Sequence, residues 1–130
     1  ELAAKALDHF GQVDVLVNNA GMSPLYPSPV EISEELFDKV IGVNLKGAFR
    51  LTAVLGKSMF EGDGGSIIGV SSTAASQCSA GELPYGAAKA ALASLRIFEC
   101  FHFIPLNLSV AFFYYELSNP ISGFYTLSVS

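Results

Sequence analysis

The sequence of 130 residues predicts an α/β fold with a parallel sheet, and three observations support it. Two short apolar runs, at residues 13–17 and 66–70, have the β-branched composition of strands buried on both faces of a parallel sheet. Segments of helical periodicity flank both runs. Hydrophobic residues make up 51% of the chain and charged residues 15%, which indicates a buried core rather than disorder.

The first helix and strand follow from this pattern. Gly11 has the position of a left-handed C-cap, and the run at residues 13–17 predicts a strand that ends at Asn18. Three prolines within residues 22–29 predict a constrained loop that borders a substrate site. The helix itself is predicted by apolar residues at helical spacing, Leu2, Ala6, Leu7 and Phe10.

A long helical segment follows the loop. Ser33 is a suitable N-cap, and apolar spacing continues from there to Met59. Three glycines interrupt the segment, each at a cost of about 1 kcal/mol relative to alanine, and predict close packing or a kink. Asn44 lies in this weakened part, where its side chain or a freed backbone carbonyl could bind a water. The alternative is a polar helix residue satisfied by solvent. The glycines are Gly42, Gly47 and Gly56.

The second half of the pattern begins with a glycine-rich turn and the strand at residues 66–70. Residues 73–84 read as a loop of small and polar side chains. Pro84 suits the first turn of the next helix, and residues 110–115 have the propensity of a further sheet strand.

Tyr85 and Lys89 form the pair with the clearest chemical meaning. Their spacing of four places them on the same face of a helix. An ordinary tyrosine has a pKa near about 10, and a fixed adjacent cation favours the phenolate, so the pair could exchange a proton near neutral pH. Ser72 follows a strand, at the carboxyl edge where open α/β sheets place ligands, and its hydroxyl could bind a carbonyl or alcohol oxygen.

Such a pair is weak evidence alone, since chance also produces it on ordinary helix surfaces. Four motifs occur here in order, however: Asn18-Asn19-Ala20-Gly21, Val43-Asn44-Leu45-Lys46-Gly47, Ser72, and Tyr85 with Lys89. In this order and spacing the chain resembles the short-chain dehydrogenase/reductase family over residues 1–96. The resemblance implies an incomplete Rossmann-like fold, a doubly wound parallel sheet between two helical layers, and hydride transfer with NAD or NADP.

The resemblance also implies roles for individual residues. Tyr85 would be the general acid/base, Lys89 would stabilise its phenolate and bind the nicotinamide ribose, and Ser72 would stabilise the substrate oxygen. Asn44 would anchor a water in a proton relay. Cofactor-binding positions would be Asn18, Ala20, Gly21, Tyr85 and Lys89. The alternative for residues 18–21 is a purely structural turn after the strand, in which asparagine and glycine adopt unusual backbone angles.

The sequence departs from the family pattern in two places. The family's glycine-rich first turn, which holds the cofactor pyrophosphate at a helix N-terminus, has no counterpart in these residues. We therefore expect cofactor binding by this chain to be impaired. The pattern also ends near Arg96, which divides the chain into residues 1–96, the central part of the domain, and a divergent apolar tail, residues 97–130.

Composition excludes several other classes of function. The net charge is −5 without a basic run, so we expect no nucleic acid partner. Cys78 and Cys100 are isolated thiols, which predicts neither a metal site nor a disulfide framework. Polar residues interrupt the apolar stretch at 97–115, so we do not expect a membrane span there. His102 in this stretch is predicted to be structural or solvent-facing rather than catalytic. No leader is visible, and the default expectation is a cytoplasmic protein.

The leading hypothesis is thus an oxidoreductase that interconverts an alcohol and a carbonyl. One alternative is a sugar-nucleotide epimerase or dehydratase, since extended relatives reuse the serine, tyrosine and lysine. Another is a catalytically inactive relative that associates with full-length subunits. The resemblance also implies a homo-oligomer through the two long helices.

Overall fold

The computed structural model describes residues 1–95, 108–113 and 124–125. The helices are α1 (Leu2–Phe10), α2 (Glu34–Ile41), α3 (Gly47–Glu61) and α4 (Leu83–Ser94). The strands are β1 (Val15–Asn18), β2 (Gly65–Val70), β3 (Leu108–Phe113) and β4 (Phe124–Tyr125). A π-helical turn, Gly42–Lys46, joins α2 to α3, and two 3-10 turns, Thr73–Ala75 and Ala80–Glu82, lie between β2 and α4.

The described strands form one sheet in the order β1-β2-β3-β4. The first two pairings are parallel, with Val17 opposite Ile68, and β3 pairs with β4 in antiparallel orientation. The predicted α/β class with a parallel sheet is therefore confirmed. The strand predicted from residue 110 onward is also confirmed, and it begins earlier, at Leu108.

The predicted helix ends and an irregular turn in the long helix are present. Gly11 caps α1 with a positive φ of 79°, but its ψ of −37° lies outside the left-handed helical region that was predicted, and its N–H donates to the Leu7 carbonyl oxygen at 2.8 Å. The Ser33 hydroxyl accepts a hydrogen bond from the Leu36 N–H at 3.2 Å and caps α2. The predicted irregularity of the long helix is the π-helical turn, where the Gly47 N–H bonds one residue further back than in an α-helix.

The core of the described residues lies between α1, α3 and one face of the sheet. Gly56 allows α3 to lie close to β2, because a Cβ at that position would be 3.3 Å from Ile67 Cδ1. At Gly65 a Cβ would be only 2.7 Å from Met59 Cγ, so this strand position also requires glycine. The buried core residues are Ala3, Leu16, Leu55, Met59 and Ile67.

The predicted first helix is present, but one prediction about burial is wrong. The helix, α1, buries Ala3, whereas Leu2 and Phe10 are 68% and 72% exposed. Val15 and Val17 on β1 are also 54% and 53% exposed, although the strand was predicted to be buried on both faces. Among the described elements β1 is an edge strand, and α1 and α3 both pack on its other face.

Some predictions concern residues outside the described ranges. Most of the divergent tail, which was predicted over residues 97–130, lies there, including His102 and the end of the predicted strand at 114–115. None of the helices in the described part of the chain is long and apolar enough to cross a membrane.

Candidate active site

The end of β2 meets the middle of α4 at a corner that we call the strand-helix corner, formed by Val70, Ser71 and Lys89. The Lys89 Nζ donates to the Val70 carbonyl oxygen at 2.7 Å. The Ser71 hydroxyl donates to the Lys89 carbonyl oxygen at 3.1 Å. The Ser71 contact is buried, the Lys89 contact is partly buried, and Lys89 as a whole is only 3% exposed. The ammonium group is therefore held at the carboxyl edge of the sheet, the edge at which the sequence predicted the site.

Tyr85 lies one helical turn before Lys89 on α4. The Lys89 Nζ is 5.8 Å from the centroid of the Tyr85 ring. The tyrosine is half-buried, and within the described residues its hydroxyl has no hydrogen-bond partner. The structure thus brings together the two residues predicted for proton transfer and leaves the phenol available to a ligand.

Burial changes the acid-base properties of Lys89. Loss of solvation lowers the pKa of its ammonium group from the ordinary value of 10.5. Within the described ranges no carboxylate forms an ion pair with it, so nothing offsets that loss by direct charge pairing. The Val70 carbonyl oxygen is its hydrogen-bond partner instead.

Asn44 lies in the π-helical turn and is fully buried, with 0% exposure. Its Nδ2 donates to the carbonyl oxygens of Met22 at 2.8 Å and Val40 at 2.9 Å. Its Oδ1 accepts a hydrogen bond from the Met22 N–H at 3.1 Å. Asn44 therefore holds the loop after β1 by both backbone groups of one residue. The alternative of a helix residue satisfied by solvent is wrong for its side chain.

Gly21 shows how close these groups lie to one another. A Cβ built there would be 3.0 Å from Asn44 Oδ1 and 3.5 Å from Lys89 Nζ. Asn44 and Lys89 therefore converge on the same point of the loop after β1. A side chain at this position would fill the space beside the ammonium group.

Ser71 and Ser72 differ in what their hydroxyls do. Ser71 uses its hydrogen in the bond to α4 described above. The Ser72 Oγ instead accepts a hydrogen bond from the Ala74 N–H at 3.2 Å and caps the following 3-10 turn. Among the described contacts the Ser72 hydroxyl hydrogen is not used, so it can be donated to a ligand oxygen.

The remaining predicted cofactor positions lie at the end of β1. Asn18 is buried, and its Nδ2 donates to the Thr52 hydroxyl on α3 at 2.9 Å. This bond gives Asn18 a structural role in holding the strand end to the helix. Ala20 is exposed. Contact of these residues with a cofactor stays a prediction.

Sequence reasoning missed several groups of the site. The carbonyl of Val70 and both backbone groups of Met22 are polar partners that no residue type reveals. Ser71 precedes the predicted catalytic Ser72, and its role in anchoring α4 was not predicted. A signal was available, because neighbouring strand residues face opposite sides and two consecutive polar residues at a strand end can serve different partners.

The chain is similar in sequence to known dehydrogenases and reductases. A family model described as short chain dehydrogenase matches residues 1–99. The human "Dehydrogenase/reductase SDR family member 4" is 35% identical over 109 residues, which cover 84% of this chain and 39% of the relative. The "L-rhamnose 1-dehydrogenase (NAD(P)(+))" of Azotobacter vinelandii is 44% identical over 96 residues, covering 73% and 37% of the two chains.

A solved structure is similar as well. The crystal structure of a metagenomic short-chain oxidoreductase in complex with NADP superposes with a TM-score of 0.74 at 29% sequence identity. The match covers 85% of this chain and 50% of that chain. The predicted Rossmann-like fold is therefore confirmed. The chain spans less than half the length of the two curated relatives.

Proposed function

Because the chain belongs to the short-chain dehydrogenase family, we propose that it takes part in the NAD(P)-dependent interconversion of an alcohol and a carbonyl compound. The observation that carries this proposal is the buried Lys89 ammonium group, 5.8 Å from the ring of Tyr85. A cation held beside a phenol is an arrangement suited to proton transfer.

In this proposal Tyr85 gives its phenolic proton to the oxygen of a carbonyl substrate, or accepts one from an alcohol. Its hydroxyl is unpaired within the described contacts, so a substrate oxygen can take that place. Lys89 stabilises the phenolate that forms, because its ammonium is held by Val70 and cannot move away into solvent. A preorganised cation of this kind needs no reorganisation when the charge appears.

Ser72 would hold the substrate oxygen in place. Its Oγ already accepts a hydrogen bond from the Ala74 N–H, which orients the hydroxyl and leaves its hydrogen to donate. A hydroxyl restricted in this way binds an oxygen with less loss of rotational freedom than a solvated one. Ser71 does not suit the role, because its hydrogen is used within the corner.

Asn44 would support a proton relay through a bound water. Both N–H groups of its side chain have protein partners, so the water would bind a carbonyl oxygen. The π-helical turn favours this version, since the Gly47 N–H bonds Gly42 O and so bypasses the Val43 carbonyl that it would contact in a regular α-helix. In this proposal the Val43 carbonyl would accept the hydrogen bond from the water.

The described residues fit one part of a nicotinamide cofactor. Lys89 and Tyr85 would hold the nicotinamide ribose, and the space beside Gly21, which a Cβ would fill, lies within reach of the ammonium. The cofactor, when bound, supplies or accepts the hydride. Two similar proteins support NAD(P), since one is named as an NAD(P)(+) dehydrogenase and another was solved with NADP. A glycine-rich turn for the pyrophosphate is not among the described loops.

Replacement of Tyr85 by phenylalanine tests the proposal. Turnover should fall by about 10²- to 10⁴-fold, the usual contribution of a general acid/base, while the fold stays intact because the hydroxyl makes no described protein contact. Steady-state rates with NADH or NADPH and a panel of small ketones measure the first effect, and circular dichroism the second. Equal rates in the variant and the natural chain would refute the role of Tyr85.

Cofactor binding is tested separately by titrating the purified chain with NADH and NADPH while following nicotinamide fluorescence. Saturable binding that weakens in Lys89→Met would support the proposed ribose contact. Absence of binding at millimolar cofactor would favour the inactive relative that associates with full-length subunits.

Product analysis with nucleotide sugars and simple ketones distinguishes an epimerase or dehydratase from the proposed oxidoreductase. Self-association through the two long helices stays a prediction, which sedimentation velocity can test.

A further inference from the structure

Tyr26 connects the loop after β1 to the first turn of α4. Its hydroxyl donates to the Ala80 carbonyl oxygen at 2.9 Å and accepts from the Leu83 N–H, also at 2.9 Å. We propose that Tyr26 is a positioning residue that holds the start of α4, and with it Tyr85, in register with the site. The inference rests on the proposed function, since the position of Tyr85 affects catalysis only if it transfers the proton.

The hydroxyl of Tyr26 supplies a cap that the helix otherwise lacks. The first N–H groups of an α-helix have no partner within the helix. Glu82 occupies the N-cap position, but its side chain makes no capping bond. Its carboxylate instead accepts a hydrogen bond from the Ser79 hydroxyl at 3.0 Å. The Leu83 N–H, at the first residue of α4, is bonded by Tyr26 from a distant part of the sequence.

The backbone of the loop also lies along this turn. A Cβ built at Gly81 would be 3.8 Å from the Tyr26 carbonyl oxygen. The Ser23 hydroxyl lies 3.5 Å from a carboxylate oxygen of Glu82, at the limit of a hydrogen bond. The loop therefore follows the start of α4 over several residues, and the phenol is the point where it is attached.

The other end of the same short loop segment is fixed as well. Asn44 bonds both backbone groups of Met22, four positions before Tyr26. The segment from Met22 to Tyr26 thus runs from the buried π-helical turn to the Leu83 N–H, two positions before Tyr85. Displacement of a catalytic group by about 1 Å can cost about 10²-fold in rate, so an anchored helix start has a direct catalytic value.

The variant Tyr26→Phe removes one oxygen and keeps the ring. Ser28→Ala is its matched control, because Ser28 lies in the same loop and bonds Glu31 rather than α4. We expect hydrogen exchange at the Leu83 amide to rise by about tenfold or more in Tyr26→Phe and to stay unchanged in Ser28→Ala. Backbone NMR of the full chain measures both.

A second readout reports on Tyr85 itself. In protein labelled with ¹³C-tyrosine, the Tyr85 ring resonance is identified by its loss in Tyr85→Phe. It should shift or broaden in Tyr26→Phe and not in Ser28→Ala. With NADPH and small ketones, kcat should fall by about tenfold in Tyr26→Phe while KM changes little, because orientation and not binding is affected.

The outcomes separate this inference from the proposed function. An unchanged Leu83 amide or an unchanged Tyr85 resonance in Tyr26→Phe overturns the positioning role, whether or not the chain turns over substrate. Where the natural chain turns over substrate, a kcat equal to that of Ser28→Ala also overturns it. If the natural chain shows no turnover, the proposed function fails for this chain, while the two NMR readouts still decide whether Tyr26 holds Tyr85 in place.

Discussion

The strand-helix corner and the outer face of β1, formed by Val15 and Val17, have opposite character although they belong to neighbouring strands. In the corner Ser71 and Lys89 are 2% and 3% exposed, and every buried side-chain polar atom of the described residues has a hydrogen-bond partner. On the outer face of β1 two valines are more than half exposed. In this sheet the buried polar groups are therefore all hydrogen-bonded, even though apolar side chains on a neighbouring strand remain exposed.

The physical reason lies in where the partners come from. The corner is assembled from the end of β2, the residue that follows it and α4, and residues 71–82, which contain the two 3-10 turns, connect these elements. A parallel strand normally needs helices on both faces, and the described helices α1 and α3 cover only one face of β1. The groups predicted for proton transfer can therefore be held in position although one face of the neighbouring strand β1 is not covered. The following predictions test that separation, from the largest expected effect on stability to the smallest.

Asn44→Ala should have the largest effect. The substitution removes three hydrogen bonds and leaves the backbone groups of Met22 and the Val40 carbonyl without this partner. We expect the free energy of unfolding to fall by about 4 kcal/mol, measured by urea denaturation. Asn19→Ala is the control, since Asn19 is exposed and should lose little. A similar loss in both variants would contradict the role of Asn44.

Leu16→Ala and Val17→Ala compare the two faces of β1 directly. Leu16 is 8% exposed beneath α1 and α3, and its truncation should cost about 3 kcal/mol. Val17 is 53% exposed, so the cost there should stay below about 1 kcal/mol. Denaturation midpoints of the two variants measure the contrast. Equal costs would mean that the outer face is covered in solution.

Gly86→Ala tests how tightly α4 approaches the loop after β2. A Cβ there would be 2.6 Å from the Ala74 carbonyl oxygen and 2.7 Å from Cys78 Cβ, so backbone must shift at a cost of about 2 kcal/mol. Gly42→Ala is the matched control, because it also lies in a helical segment and its Cβ would meet nothing within 4 Å. Thermal unfolding should show a lower midpoint for the first variant alone.

Lys89→Met should change the pH dependence of stability. Burial lowers the pKa of Lys89 in the folded chain below its ordinary value of 10.5. At pH values between the lowered pKa and 10.5, the unfolded chain therefore binds more protons than the folded chain. The free energy of unfolding should therefore rise with pH across this window through Lys89. Methionine removes that contribution, and denaturation at several alkaline pH values measures the difference in slope. A steeper rise in the variant would contradict the assigned direction.

Local features were predictable because their causes are local. The C-cap at Gly11, the N-cap at Ser33 and the placement of Pro84 in the first turn of α4 all depend on residues within one or two turns. The irregular helix around Asn44 was also predictable, since flanking glycines weaken that segment. The exposed valines of β1 were not, because composition indicates that a strand can be buried and not whether anything covers it.

Residue patterns alone were enough to predict the α/β class, the order of helices and strands, and the spacing that places Tyr85 and Lys89 on one helix face. These features follow from hydrophobic periodicity and local backbone preference, which each short segment carries within it. Three contacts were visible only in the folded chain: Asn44 bonds Met22, Lys89 bonds the Val70 carbonyl, and Tyr26 caps α4. Each of these contacts joins residues far apart in the sequence through a backbone group, and every residue except proline carries the same backbone donor and acceptor, so residue type cannot identify them.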